Sequence, residues 1–91
     1  MRDKQFIINS IKMDLYRVVT ATGNLSREFP KESIIEFMKH ADKDFARTEL
    51  TDREMALKQE LQSLLKRLPK SKDASSRLRW AEDVLTIRCR L

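Results

Sequence analysis

The one histidine of the chain, His40, is the first candidate for chemistry. Glu36 lies one helical turn before it and Asp44 one turn after it, so the three side chains share a face of a predicted helix. Imidazole and carboxylate groups bind metals in helical bundles, but there the ligands come from facing helices and point inward. These three point away from the apolar stripe of their helix. We therefore interpret them as a solvated row with weak i,i+4 pairing, and we predict no metal site.

Cys89, the single cysteine, is the only candidate nucleophile with an activating environment. Arg88 and Arg90 flank it, and neighbouring positive charge favours a thiolate. A nucleophile also needs a base within reach, which one surface histidine does not supply. With one glycine in the chain, a glycine-rich phosphate loop is excluded. The sequence therefore predicts a protein that is not an enzyme and that uses no cofactor.

Cysteine usage and hydropathy bear on the compartment. A single cysteine excludes an internal disulfide, so nothing points to an oxidising environment. No apolar run approaches the length that crosses a membrane, and the first residues lead into an amphipathic segment instead of a signal peptide. We expect a cytoplasmic protein with no membrane partner.

The formal net charge of +5 lies entirely in the last part of the chain. Residues 1–65 carry eleven basic and eleven acidic side chains, whereas residues 66–91 carry eight basic and three acidic ones. Such a cluster is suited to the phosphate backbone of a nucleic acid. We favour solvated charge or pairing within the chain, because no aromatic side chain is interleaved for base stacking. Under the nucleic-acid alternative, the contacts would come from Lys66, Arg67, Lys70, Lys72, Arg79 and Arg90.

Apolar residues recur at helical spacing in four segments. The first predicted helix runs from about Asp3 to Thr22, with Asp3 as its cap and Gly23 as a left-handed terminating residue. The others are predicted at about 31–46, 51–68 and 75–90. Thr51 and Glu54 have the spacing of a capping box at the start of the third helix.

Four amphipathic helices with short connections in 91 residues make a single domain, residues 1–91. The predicted fold class is all-α: a small antiparallel four-helix bundle in up-down-up-down order, with the apolar stripes turned inward. The bundle is either complete in one chain or completed by dimerisation.

The fourth helix is predicted to carry more apolar surface than its neighbours cover. Trp80, Val84 and Ile87 form one row, and Leu78 and Leu85 belong to a second row beside it. Together the two rows cover about 200° of the helix circumference. A helix this apolar either sits centrally in the bundle or meets something outside it.

The first helix adds two apolar side chains, Phe6 and Met13, roughly opposite its core stripe. Large uncovered apolar patches on soluble domains usually mark interfaces. We therefore predict a non-catalytic helical module that acts through protein–protein contact, as a homodimer or a small adaptor. The residues predicted to contact the partner are Phe6, Met13, Trp80, Val84, Ile87 and Arg88.

Arg77 and Arg88 project from the middle of the apolar arc of the fourth helix. An unpaired buried charge is very costly, so each guanidinium must reach water or a carboxylate. Asp14 and Glu60 are the candidate partners within the chain, and a carboxylate of another chain is the alternative.

Overall fold

The computed structural model describes residues 3–91 and contains four α-helices within that range. They are α1 (Lys4–Gly23), α2 (Lys31–Phe45), α3 (Asp52–Lys66) and α4 (Ala74–Arg90). No strand forms among the described residues, so the predicted all-α class and four-helix arrangement are confirmed. Within the same range, no helix has both the length and the hydropathy to cross a lipid bilayer.

Side-chain caps fix the starts of three helices, and those of α1 and α3 were predicted from the sequence. The carboxylates of Asp3 and Asp73 accept backbone N–H groups in the first turns of α1 and α4. Thr51 and Glu54 form both bonds of a capping box at the start of α3. Each cap satisfies donors that a helix N-terminus otherwise leaves to water.

The end of α1 differs from the prediction. Gly23 is the last helical residue but has no positive φ, and Asn24 at the C-cap has φ −80°. Instead, the guanidinium of Arg77 on α4 donates to the carbonyl oxygens of Thr22 and Asn24. A left-handed glycine would let nearby backbone N–H groups bond to these carbonyls. Here α4 supplies the hydrogen-bond donors instead.

The four helices enclose one core along an elongated body with principal extents of 41 × 21 × 19 Å. α1 packs against α2 and α4, and α3 packs against the same two helices, so α1 and α3 lie across the bundle from each other. The buried apolar side chains are Ile7, Ile8, Ile11, Leu15, Val18, Phe29, Ile34, Met38, Ala41, Phe45, Leu57, Leu61, Leu64, Trp80, Ala81, Val84 and Ile87.

α4 buries one of its two apolar rows and exposes part of the other. Trp80, Val84 and Ile87 are at most 3% exposed, whereas Leu78 is 45% and Leu85 40% exposed. The expectation that the Trp80 row would be left uncovered is therefore wrong.

Trp80 is covered by the α1–α2 connection as well as by a neighbouring helix, α3. Its indole N–H donates to the carbonyl oxygen of Leu64, 3.1 Å away, and the ring of Phe29 meets it edge-on at 6.2 Å between centroids. Phe29 lies in the α1–α2 connection. The sequence pattern gave no reason to place that residue over α4.

Arg77 is 4% exposed and is held by carbonyl oxygens instead of a carboxylate. Its Nε, Nη1 and Nη2 donate to the carbonyls of Thr22, Arg27 and Asn24 at 3.1, 2.9 and 2.9 Å. The guanidinium also lies 5.8 Å from the centroid of the Phe29 ring. Three backbone carbonyls, from the end of α1 and the connection after it, thus take the place of the water or carboxylate partner that we expected.

Candidate interaction surface

The outer side of α1 carries three large exposed side chains. Phe6, Met13 and Tyr16 are 52%, 57% and 58% exposed. The helical period places them opposite the buried stripe that contains Ile11 and Leu15. The predicted position of Phe6 and Met13 outside the core is confirmed, and Tyr16 joins them.

The exposed leucines of α4 extend this surface across the α1–α4 contact. Arg88 marks the junction, since its Nε donates to the carbonyl oxygen of Lys12 at 3.2 Å and its guanidinium lies 5.6 Å from the Tyr16 ring centroid. Leu85 lies one turn before Arg88, and Leu78 lies two turns before Leu85. We define the α1–α4 face as Phe6, Met13, Tyr16, Leu78, Leu85 and Arg88.

The α1–α4 face only partly matches the set predicted from the sequence. Phe6, Met13 and Arg88 belong to it. Trp80, Val84 and Ile87 lie in the core of the single chain instead. The physical reason is register: α4 turns the Trp80 row toward the centre of the bundle, and this leaves the neighbouring leucine row outside. The spacing predicts both rows correctly, but the prediction that the Trp80 row is the exposed one is wrong.

The basic residues predicted for nucleic-acid contact divide into two groups. Arg67, Lys70 and Arg79 line one open cleft at the α3–α4 connection, and Lys66 precedes Arg67 at the end of α3. Arg90 lies at the opposite end of α4. The structure therefore brings most of this set together and leaves Arg90 out.

A basic residue from another part of the chain joins this group. Arg27 of the α1–α2 connection lines a second cleft together with Lys72 and the buried Arg77. The two connections thus lie side by side at one end of the bundle. Their segments, residues 24–31 and 66–79, hold eight basic and two acidic side chains. We call this end of the molecule the basic end.

Acidic groups at the basic end reduce the positive charge and the hydrogen-bond donors that are available to a bound anion. Asp73 and Asp83 line the same cleft as Arg79. Asp73 already accepts the backbone N–H groups of Ser75 and Ser76 at the start of α4. The helix N-terminus is therefore occupied by its own cap, and only the side-chain charges are left for a ligand.

His40 takes part in a polar cluster that joins α2 to α1. Its Nδ1 lies 2.5 Å from Oδ2 of Asp14 and 3.6 Å from Oδ2 of Asp44. Both carboxylates are buried, whereas the imidazole is half exposed. The hydrogen bond with Asp14 holds the pKa of His40 above its ordinary value of 6.5, and the negative charges of Asp14 and Asp44 act in the same direction. The solvated Glu36–His40–Asp44 row expected from the sequence is therefore replaced by Asp14, His40 and Asp44.

The same three residues place possible metal ligands within 4.8 Å of one another. However, Arg17 lies 3.5 Å from Oδ1 of Asp14, and Arg47 lies 3.2 Å from Oδ1 of Asp44. The hydroxyl of Ser10 donates to Oδ2 of Asp44 at 2.9 Å. Because protein donors and cations already surround both carboxylates, we assign the cluster as an ion-pair network that holds α1 against α2.

Cys89 is exposed near the end of α4. The one histidine of the chain, His40, lies on α2, which does not pack against α4, so it is not placed to act as a base for this thiol. Comparison of the chain with protein-family models, with characterised proteins and with solved structures finds no match.

Proposed function

We propose that this chain is a non-catalytic helical module of the cytoplasm that binds another protein, or a second copy of itself, through the α1–α4 face. The observation that supports the proposal is the exposure of large apolar side chains on two helices in mutual contact. Met13 and Tyr16 on α1, and Leu78 and Leu85 on α4, are each between 40% and 58% exposed. A surface of this kind is stabilised by a partner that removes it from water.

The order of the helices in this proposal is up-down-up-down. Two contacts between α1 and α4 support it: Arg77 reaches Thr22, whereas Arg88 reaches Lys12, so the numbering runs in opposite directions along the two helices. Lys4 Nζ also lies 2.6 Å from Oε1 of Glu54, which links the start of α1 to the start of α3. The geometry of a homodimer would then place two α1–α4 faces against each other.

A double variant tests the face without touching the core. We expect Met13→Ser with Leu85→Ser to fold normally and to lose the contact, because both side chains are exposed. The matched control is Leu25→Ser with Met55→Ser, since these apolar side chains are 42% and 44% exposed but lie outside the face. Sedimentation velocity at high micromolar concentration detects a homodimer. In the homodimer form of the proposal, we expect the wild-type chain and the control variant to be dimeric and the Met13/Leu85 variant to be monomeric.

If the wild-type chain is a monomer, the proposal requires a different protein as the partner. A photo-crosslinking residue placed at position 13 or 85 tests for such a partner in the native cell. We expect both positions to trap the same protein and position 55 to trap none of it. A monomer that gives equal crosslinking at all three positions contradicts the proposal.

A second candidate function is binding of a nucleic-acid backbone at the basic end. The specific observation in its favour is that Arg27 and Lys72 line the same cleft, although they come from connections far apart in the chain. Each phosphate that such side chains neutralise adds a salt-dependent contribution to affinity. We expect Lys70→Glu with Lys72→Glu to abolish binding to a fluorescent RNA or DNA duplex, and Arg90→Glu to change it little. Absence of any complex at low salt would contradict this candidate.

A further inference from the structure

A cleft between α1 and α2 shares the Tyr16 ring with the α1–α4 face and Arg27 with the basic end. Its lining residues Arg17, Ala21 and Phe37 belong to neither surface. It lies beside the second half of α1, below the α1–α2 connection, and has a volume of about 550 Å³. This volume is within the range of small-molecule sites in proteins, about 300–1,000 Å³. We call it the α1–α2 cleft.

The walls of the α1–α2 cleft are mainly apolar. Ala21 and Phe37 form its inner side and pack directly against the hydrophobic core, so their positions are fixed by that packing. Pro30, at the start of α2, and the ring of Tyr16 stand at its edges. An apolar body placed here would lie against Ala21 and Phe37, whose positions the core fixes.

Two guanidinium groups stand beside this apolar surface. The Arg17 guanidinium lies 5.7 Å from the centroid of the Phe37 ring, and its ion pair with Asp14 is long at 3.5 Å. The carbonyl of Arg27 accepts from Arg77, which fixes the backbone at that position. Among the described residues, the side chain of Arg27 makes no ion pair, and it lines the cleft. Both arginines therefore keep donors for a ligand.

One acidic side chain, Glu28, also lines the cleft. Asp14, the partner of Arg17, is not part of the lining, so the lining itself holds two guanidinium groups and one carboxylate. The adjoining basic end adds further positive charge. The complement to this combination is a molecule with a compact apolar body and one negative charge.

From this complementarity we infer that the α1–α2 cleft binds a small amphipathic carboxylate. The aromatic or alkyl body of the ligand lies against Phe37 and Ala21. Its carboxylate accepts hydrogen bonds from Arg17 and Arg27. The inference does not rest on the proposed protein contact, because the four residues expected to contact the ligand lie outside the α1–α4 face.

Two-dimensional ¹H–¹⁵N NMR titrations test the inference with 3-phenylpropionate and octanoate as probes. The controls are the neutral amides, 3-phenylpropanamide and octanamide, which keep the apolar body and lose the charge. We expect the carboxylates to shift the backbone signals of Ala21 and Phe37 with a dissociation constant of about 1 mM, as ligands of this size allow. The amides should bind about tenfold more weakly, since each exposed arginine is expected to contribute about threefold.

Variants locate the effect within the cleft. Arg17→Gln and Arg27→Gln should each reduce carboxylate affinity about threefold and leave amide affinity unchanged, whereas Arg79→Gln should change neither. Ala21→Phe should block both probe types by filling the cleft. Because Ala21 packs against the core, Thr20→Trp serves as a second filling variant at an exposed lining position.

Three results would overturn the inference. The first is the absence of binding up to the solubility limit of both carboxylates. The second is equal affinity for a carboxylate and its amide. The third is binding that survives both filling variants, since the probes would then occupy another part of the surface.

Discussion

Arg77 of α4 donates from Nε to the carbonyl oxygen of Thr22, 3.1 Å away and 55 residues earlier in the chain. With its bonds to Asn24 and Arg27, this side chain joins the end of α1, the α1–α2 connection and the start of α4. The connection carries Phe29, which covers Trp80. A single buried cation therefore fixes the segment that closes one end of the core.

Replacement of Arg77 by methionine is expected to destabilise the protein by about 3 kcal/mol. The change keeps much of the apolar stem but leaves three carbonyl oxygens without their charge-assisted bonds. In a chain of this length we expect the midpoint of thermal unfolding to fall by about 15 °C. Circular dichroism measures both quantities.

The exposed neighbour Arg79 provides the matched control. Arg79→Met should alter stability by less than about 0.5 kcal/mol. Arg77→Lys should recover less than half of the loss, because one ammonium group cannot reach three carbonyls in fork geometry. Equal stability of Arg77→Met and the wild-type protein would show that the three bonds contribute nothing net.

Stability is expected to fall as the pH rises above 6.5, because of His40. The hydrogen bond with Asp14 raises the pKa of His40 in the folded state above its ordinary value of 6.5. The contribution is therefore fully present below 6.5 and is lost as the pH passes through the folded-state pKa. Urea unfolding over this range, with an NMR titration of the imidazole, measures the effect.

Variants identify the groups responsible for this pH dependence. His40→Gln should remove this part of the dependence by removing the titrating group. Asp14→Asn should reduce it, because the largest cause of the shift is the hydrogen bond with Asp14. A His40 pKa at or below 6.5 in the folded protein would contradict the prediction.

Local features of the fold were predictable from the sequence, whereas contacts between distant residues were not. Asp3 and Thr51 cap helices that begin one residue later, so their chemistry is contained in a few neighbouring positions. The partner of His40 lies 26 residues away on another helix. Its identity depends on the register between α1 and α2, which helical periodicity does not give.

The same limit explains the error at α4. The period of 3.6 residues placed Trp80 and Leu85 in two neighbouring apolar rows, and the structure has both rows. Which row turns inward depends on where α1 and α3 stand, and on Phe29 in a connection that carries no periodic signal. Composition alone also could not show that Arg27 and Lys72 line the same cleft.

Two neighbouring positions of α4 should therefore respond differently to truncation. Ile87→Ala is expected to cost about 2–5 kcal/mol, because the side chain is 1% exposed and its loss leaves a cavity. Leu85→Ala should cost less than about 1 kcal/mol, since that side chain is 40% exposed. The fluorescence of Trp80, the only tryptophan and a buried one, reports unfolding in both variants. Equal losses at the two positions would show that α4 is rotated from the orientation described above.

The hydroxyl of Thr22 offers a route to greater stability. This side chain is fully buried, and its Oγ1 has no hydrogen-bond partner among the described residues. Thr22→Val keeps the shape of the side chain and replaces the hydroxyl by a methyl group. We expect the free energy of unfolding to rise by about 1 kcal/mol, because the folded state no longer holds a desolvated hydroxyl. The exposed Thr20→Val is the control and should change stability by less than about 0.5 kcal/mol. Urea unfolding compares the variants, and a loss of stability in Thr22→Val would mean that the hydroxyl is bonded in solution.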